Sequence, residues 1–276
     1  MDLLTALAIR PGDCVAVVGA GGKTTLCWRL SQALAPRSAR VIFTTTTKIW
    51  QPAAGAFDLL HIGPIADFAP ALDASATWRA ACLASTVEGA PDPTPAGDAG
   101  MPTIQTKLIG FAPDAICELK AATQGMPVSI LVEADGARNL RIKAPGDGEP
   151  AIPGCADVVC VLANLDAIGQ PLDARVAHRV ERIAQLTRTP AGSVITPALI
   201  IALLTHPSGG LKGIPPSASR VAVLTQRDGR APHPAAPQIM AALRARGFDR
   251  TATIAPRAPQ PVLLPSRTTG EGDIAR

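Results

Sequence analysis

A short apolar run leads into glycines, a lysine and two threonines, and this stretch decides the fold. Residues 14 to 25 read Cys14-Val15-Ala16-Val17-Val18-Gly19-Ala20-Gly21-Gly22-Lys23-Thr24-Thr25. The order predicts a strand, a glycine-rich turn and the first turn of a helix. Glycines let successive backbone N–H groups converge on an anion, and the helix N-terminus adds a partial positive charge. Lys23 is placed to reach terminal phosphates, and the hydroxyl of Thr24 or Thr25 is placed to bind Mg²⁺.

The loop is shorter than the common phosphate-binding motif. That motif has four residues between its first glycine and the Gly-Lys pair, and here the corresponding position holds Val17. The chain instead has the shorter pattern Gly-x-x-Gly-Lys-Thr-Thr, which begins at Gly19. A plain strand-to-helix turn is the alternative interpretation. The apolar strand before the loop and the helical pattern after it favour a phosphate site.

The remaining sequence alternates strand and helix patterns. After the loop, Leu26, Leu30 and Leu34 recur at helical spacing, and Pro36 ends the helix. The patterns predict strands at 14–19, 40–46, 128–134, 156–163, 220–225 and 251–254, and helices at 23–35, 112–124, 174–188, 196–205 and 237–246. This alternation predicts an α/β fold like that of P-loop NTPases, with three α/β/α layers and a mostly parallel central sheet. Ligands of such sheets bind at the carboxyl ends of the strands.

The sequence predicts one domain with an irregular insertion and a tail. The domain spans 1–255, and its least regular part lies at about 51–110. Within that part, residues 89–102 are rich in Pro and Gly and predict an exposed, mobile loop. Residues 256–276 are rich in Pro and Arg and predict a tail that is partly disordered.

Composition limits the class of protein. The 276 residues are 47% hydrophobic and 17% charged, which is enough for a large core and argues against general disorder. The longest apolar stretch, 194–204, is broken by Thr196 and Pro197 and is too short to cross a membrane. The start lacks a basic leader and the loop begins by Gly19, so we expect a cytoplasmic protein without a membrane partner. The net charge of +4 is modest, and the basic segment from Arg220 onward lacks interleaved aromatics, which favours a solvated face over nucleic-acid binding.

Six cysteines are spread along the chain without a Cys-x-x-Cys pair. Most lie in apolar runs, where a free thiol behaves as a small hydrophobe, so we expect reduced structural cysteines. Cys155 and Cys160 flank the start of a predicted strand, and whether either handles a chalcogen such as selenium stays open.

The end of one predicted strand and the glycine-rich loop supply candidate catalytic and metal-binding groups. The strand at 128–134 runs into Glu133 and Asp135, which share strand parity and can point to the same face. Mg²⁺ prefers a carboxylate beside a loop hydroxyl, so one acid would bind the metal while the other orients water or substrate. The predicted metal ligands are Thr24, Glu133 and Asp135, and the predicted catalytic residues are Lys23, Glu133 and Asp135. Structural acids at a strand end are the alternative.

Further candidates would contact a substrate or the γ-phosphate. The second strand ends in hydroxyls and a lysine, and one of these groups would complete the metal or γ-phosphate shell. Several cations follow the acid pair. They form either an anion clamp for a phosphorylated substrate or a solvated basic loop. A His-Arg pair in a predicted helix is either a substrate contact or a structural pair. These substrate candidates are Thr46, Thr47, Lys48, Arg138, Lys143, His178 and Arg179.

The late strand at 220–225 leads into a base-recognition candidate. Guanine-specific proteins place Asn/Thr-Lys-x-Asp after such a strand, and the aspartate pairs with the base. Here Asp228 is in position, but Gln226 replaces the lysine. The sequence therefore leans towards GTP without excluding ATP.

Several blocks occur together in the order of one family. They are Gly-Ala-Gly-Gly-Lys-Thr-Thr at 19–25, Thr-Thr-Thr-Thr-Lys at 44–48, Lys-Leu-Ile-Gly-Phe-Ala-Pro at 107–113, Val-Glu-Ala-Asp-Gly-Ala-Arg at 132–138, Lys-Ala-Pro at 143–145, Glu-Pro-Ala-Ile-Pro at 149–153, His-Arg at 178–179, His-Pro at 206–207 and Gly-Leu-Lys at 210–212. From about 14 to 228, the chain resembles the YqeC-type selenium cofactor biosynthesis proteins, also described as selenium-dependent hydroxylase accessory proteins. The Glu-Ala-Asp-Gly-x-Arg block together with the short loop is far more specific than either alone.

The resemblance implies a single-domain P-loop protein that binds GTP or ATP with Mg²⁺. It would act as an accessory factor in selenium cofactor biosynthesis, with a selenium-dependent molybdenum hydroxylase as client. Two alternatives remain open at this point. The short loop also resembles that of the Mur amide ligases, which predicts an ATP-dependent ligase or phosphotransferase. The third possibility is a nucleotide-dependent scaffold without catalysis.

Overall fold

A large sheet of parallel strands forms the centre of the protein. The computed structural model describes residues 2–37, 40–72, 77–88, 103–227 and 231–255. Its strands are β1 (Cys14–Gly19), β2 (Arg40–Thr45), β3 (Lys48–Pro52), β4 (Leu59–Ile62), β5 (Ala80–Ala84), β6 (Thr86–Glu88), β7 (Thr103–Ile109), β8 (Val128–Glu133), β9 (Ile142–Lys143), β10 (Val158–Asn164), β11 (Ala177–His178), β12 (Ser219–Thr225) and β13 (Arg250–Ile254). Its α-helices are α1 (Leu3–Leu7), α2 (Lys23–Leu34), α3 (Pro113–Ala122), α4 (Val180–Thr187), α5 (Pro197–Thr205) and α6 (Ala236–Arg244). Short 3-10 helices span Ala35–Arg37, Ile65–Leu72 and Leu165–Ala167.

The central sheet has eight strands in the order β13-β12-β10-β1-β8-β2-β5-β4. Every neighbouring pair in it is parallel. Two small sheets accompany it: β9 pairs with β11 in parallel, and β7 pairs with β3 and β6 in antiparallel fashion. The α/β class with a mostly parallel sheet is confirmed.

Helices cover both faces of the sheet, and the residues of β1 show why. Side chains alternate between the two faces of a strand. Val15 and Val17 belong to the apolar cluster that includes α1 and α2, whereas Ala16 and Val18 belong to the cluster that includes α3, α4, α5 and α6. Because β1 is buried on both sides, it reads as a continuous apolar run, as expected of a central parallel strand. The result is the predicted three-layer arrangement.

The structure differs from the sequence-based elements in two places. The helix expected at 174–188 is present only as α4, because 177–178 pair as a strand with β9 and Arg179 has a left-handed φ of 64°. The region at 51–110 is more regular than expected, since β4 and β5 extend the main sheet and β6 and β7 join β3. Residues 89–102 and 256–276, for which a loop and a tail were predicted, lie outside the described residues.

None of the helices in the described parts of the chain combines the length and the apolar character that crossing a membrane requires.

Candidate phosphate-binding site

The glycine-rich loop lies where the sheet reverses its winding. From β1 the chain passes through α2 to β2 on one side, whereas from β10 it reaches β12 on the other side. β1 and β10 are neighbours, so the reversal falls between their carboxyl ends. Ligands of open α/β sheets bind at such topological switch points. The loop is thus at the position in the fold where a ligand is expected.

The backbone of this loop requires glycine. Gly19, Gly21 and Gly22 have φ angles of 92°, 88° and 117°, which side chains rarely tolerate. A Cβ on Gly19 would overlap the carbonyl oxygen of Leu162, and one on Gly21 would come within 2.5 Å of Asn164 Cβ. The loop is therefore packed tightly against the end of β10, and Gly22 caps α2 directly before Lys23.

Two carboxylates from the end of β8 surround Lys23. Glu133 lies opposite Val17 in the register of β8 and β1, which brings it to the base of the loop. The ammonium of Lys23 lies 3.7 Å from Glu133 Oε1 and 3.3 Å from Asp135 Oδ1, and donates to Gly19 O at 2.9 Å. All three side chains are less than a tenth exposed. Lys23, Glu133 and Asp135, predicted as a group, therefore lie together.

A hydroxyl of the loop meets the first of these carboxylates. Thr24 Oγ1 donates to Glu133 Oε2 at 2.6 Å. Burial raises the pKa of Glu133, and the ammonium of Lys23 opposes that rise without cancelling it. Burial works against the charge on Lys23, but the neighbouring Asp135 and Glu133 outweigh it and raise the pKa of the lysine. Lys23 therefore stays charged, while Glu133 holds a proton more readily than an exposed glutamate.

Asp135 continues the charge pattern away from the loop. Its Oδ2 accepts from Gly19 N at 2.9 Å and lies 3.0 Å from Lys143 Nζ. Its Oδ1 is buried and accepts no hydrogen bond, although Lys23 Nζ lies 3.3 Å away. Lys143 also donates to Glu149 Oε2 at 2.7 Å, and its own side chain is 1% exposed.

Glu149 is held from a second direction by Arg179. The guanidinium donates to both carboxylate oxygens, at 2.7 and 3.0 Å. Burial disfavours the charge on Glu149, but the hydrogen bonds from Arg179 and Lys143 outweigh it and lower the pKa of Glu149 to about 2. We call the six groups that alternate in sign the ion network: Glu133, Lys23, Asp135, Lys143, Glu149 and Arg179.

Arg138 and His178 lie beside the ion network. Arg138 and Asn139 both have left-handed φ angles, 50° and 59°, within a turn closed by Leu140 N donating to Ala137 O at 3.0 Å. Such a turn favours Asn and Gly at its central positions. The exposed Arg138 occupies the first of them and therefore adopts a backbone conformation that arginine rarely adopts. His178 lies opposite Lys143 in the β9–β11 register, and burial together with Arg179, Lys143 and Arg138 lowers its pKa.

The threonines after β2 are bonded to the backbone around the site. Thr46 Oγ1 donates to Ala151 O at 2.8 Å, and Thr47 N donates to Thr45 Oγ1 at 2.9 Å. Thr45 Oγ1 in turn donates to Glu133 O. Lys48 points its ammonium at Glu88 on the three-stranded sheet. Thr46 and Thr47 therefore fasten the end of β2 to its surroundings, while Lys48 is engaged elsewhere.

A comparison with known proteins gives the family. The family model described as "YqeC protein" matches residues 15–181, which contain the loop and the whole ion network. The chain belongs to the YqeC family. The "Uncharacterized protein YqeC" of Escherichia coli (strain K12) is 30% identical over 207 residues, which are 75% of this chain and 73% of that protein. No solved structure matches.

Other residues support the loop of this YqeC-family chain and were missed from the sequence. Thr225, at the end of β12, donates its hydroxyl to Gly21 O at 2.6 Å. Asn164, at the end of β10, lies against Gly21 and accepts from Asp166 N. Their position at carboxyl ends of neighbouring strands was the signal that could have found them. Asp228, the predicted guanine contact, lies outside the described residues.

The cysteines only partly match the expectation of six free thiols. Cys14, Cys27, Cys82 and Cys160 are free and buried, as expected. Cys117 in α3 and Cys155 before β10 instead form a disulfide, with Cα atoms 5.5 Å apart. The expectation was wrong for this pair because residues 38 positions apart meet where α3 packs beside the start of β10, which spacing along the chain does not reveal.

Proposed function

We propose that this protein binds a nucleoside triphosphate, GTP or ATP, together with Mg²⁺ and hydrolyses it. One observation carries the proposal: the hydroxyl of Thr24, at the start of α2, donates to Glu133 at 2.6 Å, beside the buried ammonium of Lys23. A loop hydroxyl, a strand-end carboxylate and a lysine are the protein groups that phosphoryl-transfer sites assemble around phosphate and metal.

The loop would hold the phosphates through its backbone. N–H groups at residues 20–24 and the N-terminus of α2 would face them. Lys23 now contacts Gly19 O and the two acids, all of them negative or partly negative oxygens. A phosphate oxygen offers the same ammonium a partner of the same kind, so Lys23 would exchange one contact for another without leaving its charge unpaired.

The residues present fit Mg²⁺. Asp135 Oδ1 is a buried carboxylate oxygen that accepts no hydrogen bond. Thr24 Oγ1 and Glu133 Oε2 are within hydrogen-bond distance of each other. Among the described residues, no group of three or more His, Cys, Asp or Glu side chains could hold a metal ion. Mg²⁺ is usually bound by one or two carboxylates, with phosphates and water as the other ligands, so a larger cluster is not needed. When bound, the ion would neutralise charge on the phosphates.

Glu133 and Asp135 would have different roles. Thr24 and one carboxylate would bind the metal, and the other carboxylate would orient the attacking water. Burial raises the pKa of Glu133, which suits it to exchange a proton with that water. Asp135 is fixed by Gly19 N and Lys143, which suits it to a constant position beside the loop.

We further propose that nucleotide binding serves selenium cofactor biosynthesis and the maturation of a selenium-dependent molybdenum hydroxylase. Membership of the YqeC family supports an accessory role. Arg138 and His178 lie beside the ion network without forming any of its pairs, and an anionic group of the substrate or client would meet them first. Lys143 and Arg179 would act behind them, since both are paired with carboxylates.

The test is Mg²⁺-dependent turnover of GTP and ATP by the full chain. We expect Lys23→Ala to abolish turnover, while Lys107→Ala, which changes an exposed lysine stacked on Trp50, leaves it intact. Turnover unchanged in Lys23→Ala would refute the proposal. Nucleotide release that needs an added acceptor would instead indicate a ligase, and tight binding without any turnover a scaffold.

Titration calorimetry addresses the base. GTP and ATP are titrated with Mg²⁺ into the native chain and into Asp228→Ala. If Asp228 reads guanine, only the GTP affinity falls; equal affinities for both nucleotides in both proteins would remove Asp228 from the site.

A further inference from the structure

The Cys117–Cys155 pair differs from every other cysteine of the chain in its exposure. Both residues are only partly buried, whereas Cys14, Cys82 and Cys160 are fully enclosed in the core. Burial raises the pKa of each of these three thiols to about 12. Since the thiolate is the reactive form, the enclosed cysteines are inert near neutral pH. Thiol chemistry in this protein is therefore confined to one pair at the surface.

The protein has a large apolar core in addition to this disulfide. Disulfides are needed chiefly by small domains that cannot build a sufficient core. Here two extensive apolar clusters cover the two faces of the sheet. The disulfide lies at the edge of one of them, with Cys155 packed against it, and joins α3 to the segment that precedes β10. A second connection already holds these parts together, because Lys120 in α3 donates to Cys155 O at 2.7 Å and pairs with Asp157 at 2.7 Å.

The surroundings of Cys117 suit a thiolate. The backbone N–H of Cys155 donates to Cys117 Sγ at 3.2 Å. Lys120, one helical turn after Cys117, brings an ammonium to the same place, bonded to Cys155 O. The backbone donor stabilises a negative sulfur and favours attack on a disulfide, and Lys120, although paired with Asp157, adds a cation nearby.

We propose that Cys117 and Cys155 form a reversible thiol–disulfide exchange site for low-molecular-weight disulfides and thiols of the glutathione class. In the reduced protein, the Cys117 thiolate attacks one sulfur of the oxidised small molecule. A mixed disulfide forms, and one small thiolate leaves and takes up a proton. Cys155 then loses its proton to solvent and attacks Cys117 Sγ, which closes the protein disulfide and releases the second small thiol. Two protein thiols are oxidised, and one disulfide is reduced to two thiols.

The test uses the full chain, reduced and then exposed to oxidised glutathione, with intact mass as the readout. We expect a loss of about 2 Da without a lasting adduct, the mass of two hydrogens, and its reversal by excess reduced glutathione. Cys155→Ser should stop at a single glutathione adduct on Cys117. Cys82→Ser, which changes an enclosed cysteine, should behave as the native chain does. Far-ultraviolet circular dichroism verifies that each variant folds.

Two results would overturn the proposal. One is a native chain whose disulfide opens to reduced glutathione only after unfolding in urea, which makes the bond purely structural. The other is a Cys155→Ser protein that takes up no glutathione while folded. Neither result bears on nucleotide turnover, so this inference and the proposed function succeed or fail separately.

Discussion

Replacing Lys143 by methionine tests the ion network most directly. Methionine keeps much of the length of the side chain but removes the ammonium. Lys143 is 1% exposed and lies 3.0 Å from Asp135 and 2.7 Å from Glu149. Its loss leaves the buried Asp135 and the partly exposed Glu149 short of a cation, and it also removes the hydrogen bond to Gly136 O.

The expected loss of stability follows from what each carboxylate retains. Breaking a buried pair costs about 3–5 kcal/mol, because a charge stays behind without a partner. Asp135 keeps Gly19 N and Lys23, and Glu149 keeps both hydrogen bonds from Arg179. We therefore expect the lower end, about 3 kcal/mol. For a domain of this size, that corresponds to a melting temperature lower by roughly 6–12 °C.

Urea unfolding followed by circular dichroism measures the effect. Lys48→Met is the matched control, since Lys48 pairs with Glu88 on the surface and exposed pairs contribute little. Adding Glu149→Gln to Lys143→Met should recover part of the loss, because one of the stranded charges disappears. A Lys143→Met protein as stable as Lys48→Met would refute this account of the ion network.

Three further outcomes are expected. Burial disfavours the charge on Glu149, yet hydrogen bonds from Arg179 and Lys143 lower its pKa from 4.5 to about 2. The contribution of Glu149 to the free energy of unfolding is therefore complete above pH 4.5 and is lost as the pH falls through 2. Acid titrations of Glu149→Gln should lack this loss. Gly21→Ala should lose nucleotide affinity and stability by calorimetry, more than Gly12→Ala, which has a similar φ of 96° but no atom within 4 Å of the added Cβ. Thr24→Ser should keep Mg²⁺-dependent turnover and Thr24→Val should lose it, whereas equal rates would remove the hydroxyl from the metal site.

The parts predicted well from the sequence are those where local pattern and position agree. β1 and β8 are buried on both faces, so their apolar runs identify them, and the glycines after β1 could adopt only a tight turn. Because both strands are parallel and adjacent, the groups that follow them had to meet at one edge. The sequence alone therefore groups four residues: Lys23, Thr24, Glu133 and Asp135.

The parts that were missed depend on contacts between distant segments. β5 reads Ala-Ala-Cys-Leu-Ala, without the β-branched residues that mark strands, and is a strand because β2 and β4 pair with it. Glu149 stood in a recognised block, but nothing in the spacing says that it holds both Lys143 and Arg179. These are tertiary pairings, and local propensity carries no information about them.

The net charge of the ion network determines whether a free nucleotide or its metal complex would bind more readily. With every member ionised, its three cations and three carboxylates give 3 − 3 = 0. A free triphosphate would bring several negative charges into a buried place where the cations are already paired, and unpaired buried charge is costly. Lys23 can turn to a phosphate only if something else neutralises Glu133 and Asp135. On the proposed function, a divalent cation that arrives with the nucleotide would supply that charge, near Oδ1 of Asp135, which accepts no hydrogen bond. On the proposed function, the balance of this site therefore favours the metal–nucleotide complex over the nucleotide alone.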